Sequence, residues 1–467
     1  MINIIDKKIS NFALNTFLID ENNKSIKYKN ILSKASKKLD FIKSRSFALI
    51  LAENCTSFIE IYFYFLKKKV AQMLIDLNSS DTNLKEIVIA YRPNYILINK
   101  KRKIKITGLK LKSKLGNYLV YEFFKKKINI DENLAILLPT SGSTGSPKFV
   151  KLSYLNIFDN AKNISKYLKI KKNHKTITTM PPSYSYGLSI INSHFFSGAK
   201  IVMNAKSFFE KEFWKKINRY KITSFGAVPY HYEMLKKLKF HNFKLPHLKY
   251  LTQAGGALKK EIIKYFINLC EKKMIKFIQM YGQTEASPRI SYLPFKKAKT
   301  KIGSIGKVIP GGKIFLINKN KKSGVGELSY KGNNVFMGYT LGQKDLQKSK
   351  RKITILKTGD LAKKDREGYY YVVGRKDRIV KVAGNRIDLE ELNKIARRKG
   401  IECEFLQNNN KIKVFTKNQT TTEDTLNNLC SDIQLNKNYF EVIKIDKFPL
   451  NSRGKIDLLK LKNYDRH

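Results

Sequence analysis

The chain has 467 residues, too many for one small domain and enough for two or three. Hydrophobic residues make up 42% of it, which supplies material for cores and excludes disorder as the main state. Lysine and arginine number 92 against 37 acidic residues, a formal net charge of +55, and such an excess speaks to partners and solubility rather than to fold.

The elements alternate from the start. Lys27 to Ile42 has helical spacing, and Ser46 to Leu51 (SFALIL) reads as a buried parallel strand. Phe58 to Phe65 reads as an amphipathic helix, Ala71 to Ile75 as a strand, and Ile87 to Ile98 continues the pattern. Ala135 to Leu138 is a strand that runs into a Gly/Ser loop. Ile201 to Met203, Ser224 to Val228 and Tyr250 to Thr252 are further short strands, with helices over Phe209 to Arg219 and Lys259 to Lys272. After Gly303 short β runs follow, Lys313 to Ile317, Gly326 to Tyr330 and Tyr369 to Val373, as in a β-rich subdomain. From about 378 onward the chain reads as a small α+β unit, with a polar loop over Lys417 to Asp424. The expected class is α/β: a large domain of mixed α/β sheets with a β-rich subdomain, then a small C-terminal α+β domain.

Only 14 of the 92 basic residues are arginine, and lysine runs such as Lys67 to Lys69 and Lys125 to Lys127 are short and scattered. A dedicated nucleic-acid reader would show a patterned arginine stripe, so no specific nucleic acid is expected as a partner. The excess reads either as lysine-rich compositional drift or as a basic surface for acidic partners. Cys55, Cys270, Cys403 and Cys430 form no CxxC pair and read as lone thiols in a reducing compartment. The N-terminus lacks a signal-peptide layout, and no run of about 18 apolar residues occurs. A cytoplasmic protein without a membrane span is expected.

Four motifs carry chemistry. Thr140-Ser141-Gly142-Ser143-Thr144-Gly145-Ser146-Pro147-Lys148 follows an apolar strand. Its small residues, hydroxyls and lysine suit a polyphosphate, although Pro147 before the lysine rules out a Walker A loop. Gln279 to Glu285 (QMYGQTE) offers an aromatic for a base, a hydroxyl for a phosphate and a carboxylate for Mg²⁺. Lys357-Thr358-Gly359-Asp360-Leu361, followed by Gly374-Arg375-Lys376-Asp377-Arg378, offers a carboxylate for ribose hydroxyls. Pro449 to Asp457 places Lys455 on a Gly-containing loop.

In this order and at these distances the motifs resemble the adenylate-forming superfamily, which includes AMP-forming acyl-CoA synthetases and the adenylation domains of nonribosomal peptide synthetases. The resemblance runs from about residue 25 to residue 461 and includes QAGGAL at Gln253 to Leu258 and GELSYKGNNVFMGY at Gly326 to Tyr339. It implies that Thr140, Ser141, Gly142, Ser143, Thr144, Gly145 and Lys148 hold the β- and γ-phosphates of ATP. Gly255, Gly256, Tyr281 and Gly282 would bound the adenine. Thr284 would contact the α-phosphate and Glu285 would hold Mg²⁺. Asp360 would take the ribose hydroxyls with Arg375 beside it. Lys455 would reach the reacting carboxylate from the C-terminal domain. By the same resemblance residues 1–376 form the AMP-binding domain and 377–467 a mobile lid hinged at Asp377, with the Gly384 loop facing the site in the second half-reaction.

The implied reaction activates a carboxylic acid as an acyl-adenylate and passes the acyl group to coenzyme A or, alternatively, to a pantetheine-bearing, acidic carrier protein; a catalytically inactive basic binding protein on the same fold is the reading of another class, against which intact Lys148, Glu285, Asp360 and Lys455 argue. Tyr184 and Gly187, in the segment Pro181 to Gly187, would line the acid pocket. That segment has no Asp to pair with an α-amino group, which favours an acid lacking one. The C-terminal unit, about 90 residues, is short for the family, and Leu435 to Phe440 stands where a proline-bearing segment is usual.

Overall fold

The computed structural model describes residues 2–102, 106–139, 148–347, 353–382, 385–398, 400–408, 411–417, 437–450 and 456–464. They fall into two compact units. The first is Met1–Ile314 with Tyr330–Leu356, and the second is Phe315–Ser329 with Lys357–His467. The β-rich subdomain therefore groups with the C-terminal residues, because Gly326–Lys331 and Leu356–Lys364 are neighbours in one sheet. The expected boundary at 376/377 falls inside this second unit.

Two wide sheets build the first unit. One runs in the order Gly338–Thr340, Phe149–Ser153, Leu134–Pro139, Ala71–Asp76, Phe47–Ala52, Tyr95–Asn99, Tyr118–Glu122, Lys110–Leu115. Its central strands are parallel and buried along their length, as the unbroken apolar runs FALILA and LAILLP require. The other sheet carries Ser224–Ala227, Tyr250–Gln253 and Lys276–Gly282 as parallel neighbours, with Arg289–Leu293 antiparallel beside the last.

One expected helix differs in kind. Thr56–Lys68 forms, but every residue from Phe58 through Leu66 is buried, so it is not an amphipathic surface helix. Its ring of Phe63 stacks on Phe195 at 4.1 Å between centroids, and the Tyr62 hydroxyl donates to Asn192 Oδ1 at 3.0 Å. A helix apolar all round belongs inside, where each large side chain contributes about 1.5–3 kcal/mol of burial. Lys27 to Ile42 holds only a single turn at Tyr28–Asn30 and the short helix Ser33–Lys38.

In the second unit, Lys313–Ile317, Gly326–Lys331, Leu356–Lys364 and Tyr370–Arg375 form a four-stranded sheet. Ile379–Val382 pairs with Asn385–Asp388, the helix Leu389–Arg398 follows, and Cys403–Asn408, Lys411–Thr416 and Phe440–Lys444 make a three-stranded sheet. Most of the expected Lys417 to Asp424 loop lies outside the described residues. Cys55, Cys270 and Cys403 are free and buried. No helix among the described residues is long and apolar enough to cross a membrane.

Candidate active site

Ligands of open parallel sheets bind at the carboxyl ends of the strands. In the first unit three such ends lie side by side, leading to Val228, to Ala254–Gly256 and to Gln283–Glu285. The second sheet motif, QMYGQTE, is thus the last strand plus its exit turn. Gly255 has φ +88°, a region that favours glycine, and a Cβ there would strike the Tyr184 hydroxyl. A Cβ at Gly282 would strike the Pro288 carbonyl, so the glycine lets two antiparallel backbones close up. Gln253 Nε2 donates to the Gly256 carbonyl at 2.9 Å and fixes the loop beneath.

The turn Thr284–Ala286 is held from three sides. Asn334 Nδ2 donates to the carbonyls of Ala286 at 2.5 Å and Arg289 at 2.8 Å, and Ser287 Oγ donates to the Asn334 carbonyl at 2.9 Å. The backbone N–H of Phe336 donates to the Glu285 carbonyl at 2.9 Å. Thr284 is buried, and its hydroxyl lies 3.2 Å from that of Ser185. Ser185 opens the helix Ser185–Phe196 directly after Tyr184.

The same segment that holds the turn joins the two sheets. Beyond Phe336, Gly338–Thr340 pairs antiparallel with Phe149–Ser153, with Tyr339 opposite Val150. This register sets Tyr339 beside Lys148. The Lys148 ammonium sits 3.7 Å from the centre of the Tyr339 ring, and the Tyr339 hydroxyl donates to Glu285 Oε1 at 2.9 Å. A cation, a ring and a carboxylate therefore form one chain at the mouth of the strand ends. No cluster of three or more His, Cys, Asp or Glu suited to a metal occurs among the described residues. Magnesium needs none, since one or two carboxylates plus phosphate oxygens suffice, and Glu285 fits that pattern.

Tyr184 is buried with Met180, Tyr186, Val228 and Ala254 against the Gly255 loop. A Cβ at Gly187 would come 2.5 Å from the Pro181 carbonyl, so this glycine seats the helix against that backbone. In the second unit, Asp360 faces Arg375 across the hairpin, with Oδ1 3.6 Å from the arginine Nε. Gly359 has φ +74°, and the Asp360 amide donates to the Thr358 hydroxyl at 3.1 Å, which in turn donates to the Leu328 carbonyl at 2.7 Å. Asp377 lies in the turn Lys376–Arg378. Thr140, Ser141, Gly142, Ser143, Thr144, Gly145, Gly384 and Lys455 lie outside the described residues.

Residues 39–340 match the AMP-binding enzyme family, well over half of the chain. The chain belongs to this family. Oxalate–CoA ligase of Arabidopsis thaliana is 27% identical over 277 residues, covering 57% of this chain and 53% of that one. The 2-succinylbenzoate–CoA ligase of Listeria monocytogenes is 26% identical over 342 residues, covering 71% and 70%. The chain spans about half the length of the first curated relatives it matches. O-succinylbenzoate coenzyme A synthetase of Bacillus subtilis, solved with ATP and magnesium ion, has a similar fold, with TM-score 0.76 at 20% identity over 98% of this chain and 99% of that one. The α/β architecture expected from the alternation of strands and helices is that of the AMP-binding enzymes.

No sequence pattern singles out Ser185, Tyr339 or Asn334. Tyr339 and Asn334 both stand in the stretch GELSYKGNNVFMGY, whose resemblance to the family carries no roles for them. Their partners lie about 50 residues earlier, in the turn after Gly282, and no local pattern shows that.

Proposed function

We propose that this AMP-binding enzyme is an acid–thiol ligase. It activates a carboxylic acid with ATP as the acyl-adenylate, releases pyrophosphate, and transfers the acyl group to coenzyme A. The observation that carries the reading is the chain Lys148–Tyr339–Glu285 beside the buried Thr284 hydroxyl. The activities of the two relatives named above, both CoA ligases, support it.

A carboxylate is ionised at neutral pH, so its oxygen attacks the α-phosphorus without a general base. The bond from that phosphorus to the bridging oxygen breaks, and pyrophosphate leaves with the electron pair. Catalysis is then positioning and charge neutralisation. Lys148, with the loop Thr140 to Gly145, takes the β- and γ-phosphates. Thr284 hydrogen-bonds the α-phosphate, and Tyr339 keeps the Glu285 carboxylate turned toward the metal site. Mg²⁺ held there supplies positive charge to the phosphates. Gly255, Gly256, Tyr281 and Gly282 bound the adenine, Asp360 and Arg375 the ribose, and Lys455 the reacting carboxylate.

In the second step a thiolate attacks the acyl carbon and AMP leaves. We place the domain division at 376/377, with Asp377 as the pivot. Its neighbours support this. Lys376 Nζ pairs with Glu327 Oε2 at 3.1 Å in the four-stranded sheet, whereas Arg378 pairs with Glu404 and donates to the Phe405 carbonyl at 3.3 Å in the three-stranded sheet. One residue thus separates anchors on different sheets. A carrier protein's pantetheine thiol is the alternative acceptor, favoured by the +55 charge through steering of an acidic partner.

Acid-dependent ATP–pyrophosphate exchange over an acid panel tests the reading. Exchange with one or a few acids is expected, and lost in Lys455→Ala. Absence of exchange with every acid overturns it. Thioester formation with coenzyme A against purified acidic carrier proteins separates the acceptors.

A further inference from the structure

The helix Ser185–Phe196 starts at the candidate site and packs beside the strands that lead to it. Its Tyr186 is buried, with 2% of its surface exposed. The Tyr186 hydroxyl donates to the Thr252 carbonyl at 2.9 Å and lies 2.8 Å from the Thr252 hydroxyl. Its ring meets that of Tyr184 at 6.3 Å between centroids, in a T-shaped pair. The Arg289 guanidinium stands 4.9 Å from the centre of the same ring, and Arg289, itself buried, hydrogen-bonds the Tyr167 hydroxyl. Tyr186 is thus held by its hydroxyl, by a second ring and by a fixed cation. A side chain secured in this way does not swing aside to admit a ligand.

The helix also presses on the sheet one turn further on. A Cβ at Gly226 would come 2.8 Å from both Ile190 Cδ1 and the Tyr186 hydroxyl, and 3.0 Å from Thr252 Oγ1. Helix and strand therefore approach as closely as a residue without a side chain allows, and at this level they leave no slot for an alkyl chain. Beyond it lies a cavity of about 20 Å³, lined by Tyr186, His194, Ser224, Tyr250 and Arg289 among others. That is room for about one water and not for the end of a substrate.

Depth follows from the strands. Gly226 and Thr252 are register partners in neighbouring parallel strands, two residues before Val228 and Ala254 at the candidate site. At about 3.3 Å per residue, the level closed by Tyr186 and Ile190 lies roughly 7 Å below those strand ends. Part of that depth is taken by the Tyr184 ring, which is buried with Val228 and Ala254. A carboxylate at the reaction centre can trail only a few carbons before its chain meets Tyr186.

We propose that Tyr186, backed by Ile190, is the floor of the acid pocket and limits the enzyme to short acids, of about two to four carbons at the depth given. This rests on the ligase reading above, with Tyr184 at the acid. Each methylene beyond the floor has to push a ring that is fixed at its hydroxyl and on its faces. A close-packed interior resists such overpacking, so length is selected by exclusion and not by added attraction.

The test measures pyrophosphate exchange along the series acetate, propionate, butyrate, valerate, hexanoate and octanoate, with benzoate beside it. In the wild type kcat/KM is expected to peak at one of the first three and to fall by about tenfold or more for each methylene beyond butyrate. Tyr186→Leu shortens the side chain and should raise the ratio of hexanoate to propionate by about 100-fold. Ile190→Ala, a smaller change, should raise it by about tenfold. Tyr186→Phe keeps the ring and should keep the limit. A wild-type optimum at valerate or beyond, or at benzoate, overturns the proposal, as does an unshifted profile in folded Ile190→Ala and Tyr186→Leu proteins. Calorimetric titration of N-acylsulfamoyl adenosines, unreactive mimics of the acyl-adenylate, over the same chains separates the two readings. Affinity that falls past butyryl in a protein without exchange supports the floor and sinks only the ligase reading. Exchange that rises with chain length sinks the floor alone, and affinity that is equal across the series, or absent throughout, overturns the floor as well.

Discussion

Two groups of charge stand on either side of the strand Lys276–Gly282 and its exit turn. At the mouth, Lys148 and Glu285 meet through the Tyr339 ring and hydroxyl. Beneath, Arg289 is sealed among aromatic rings. Charges at the mouth share their load, so each is worth little to stability and can turn toward a passing phosphate. The inner charge has no carboxylate beside it among the described residues and is held instead by the Tyr167 hydroxyl and the face of Tyr186, which fixes it in the core.

The largest break in this comparison should come from Glu285→Gln. The amide keeps the Tyr339 hydrogen bond but loses the charge proposed to hold Mg²⁺. Exchange should fall by about 100-fold or more, with the Mg²⁺ concentration for half-maximal rate rising in a metal titration. A fall without any shift in Mg²⁺ dependence would remove Glu285 from the metal role.

Next in size is Gly282→Ala. Its Cβ would collide with the Pro288 carbonyl in the ladder that also sets Arg289. Overpacking of this kind costs about 1–3 kcal/mol, readable as a lowered urea midpoint, and it should disturb both regions together. Loss of one with the other intact would show that they are not coupled through this ladder.

Acid should act on the inner region. His194 sits at about 4 in the fold, below the ordinary 6.5, because burial disfavours its charged form. The unfolded chain therefore takes up the proton first. Stability is complete above about pH 6.5 and declines as pH falls toward 4, by up to about 3 kcal/mol from this group. In His194→Gln the decline should be shallower, seen as a flatter plot of Tm against pH. Parallel curves for the two proteins would contradict the burial of a neutral ring.

The smallest effect belongs to Tyr339→Phe. The ring stays over Lys148 and only the hydroxyl is lost. A single hydrogen bond to a charged group is worth about 1.5–3 kcal/mol, so exchange should drop roughly tenfold with folding unchanged. Tyr339→Ala, which also removes the ring, should drop it further.

The mouth was largely legible in the sequence and the cavity was not. Lys148, Thr284 and Glu285 sit in short motifs whose residue types announce phosphate and metal chemistry within a few positions. Arg289 sits four residues past Glu285, but its meaning depends on Tyr167, Tyr186, His194 and Tyr250, drawn from three other elements. Tyr339 is intermediate, its stretch assigned but its partners about 50 residues away. The strands from Phe47 to Gln253 appeared as apolar runs because parallel strands buried on both faces leave that trace. The helix Thr56–Lys68 differs from the amphipathic helix expected over Phe58 to Phe65 because its polar side chains are buried too. Tyr62 instead finds Asn192 inside, and Glu60 is buried, with burial pushing it up to about 7.

The two anchors beside Asp377 differ in their exposure to salt. Lys376 is mostly in water where it meets Glu327, and an ion pair so placed is screened within a Debye length of about 8 Å at physiological ionic strength. Glu404 is buried and Arg378 mostly so, and this pair is screened far less. Rising ionic strength should thus loosen the turn Lys376–Arg378 on one flank only. The turn would be released from the four-stranded sheet while still fastened to the three-stranded one, and a protease added in high salt would find its first cut before Asp377 rather than after it.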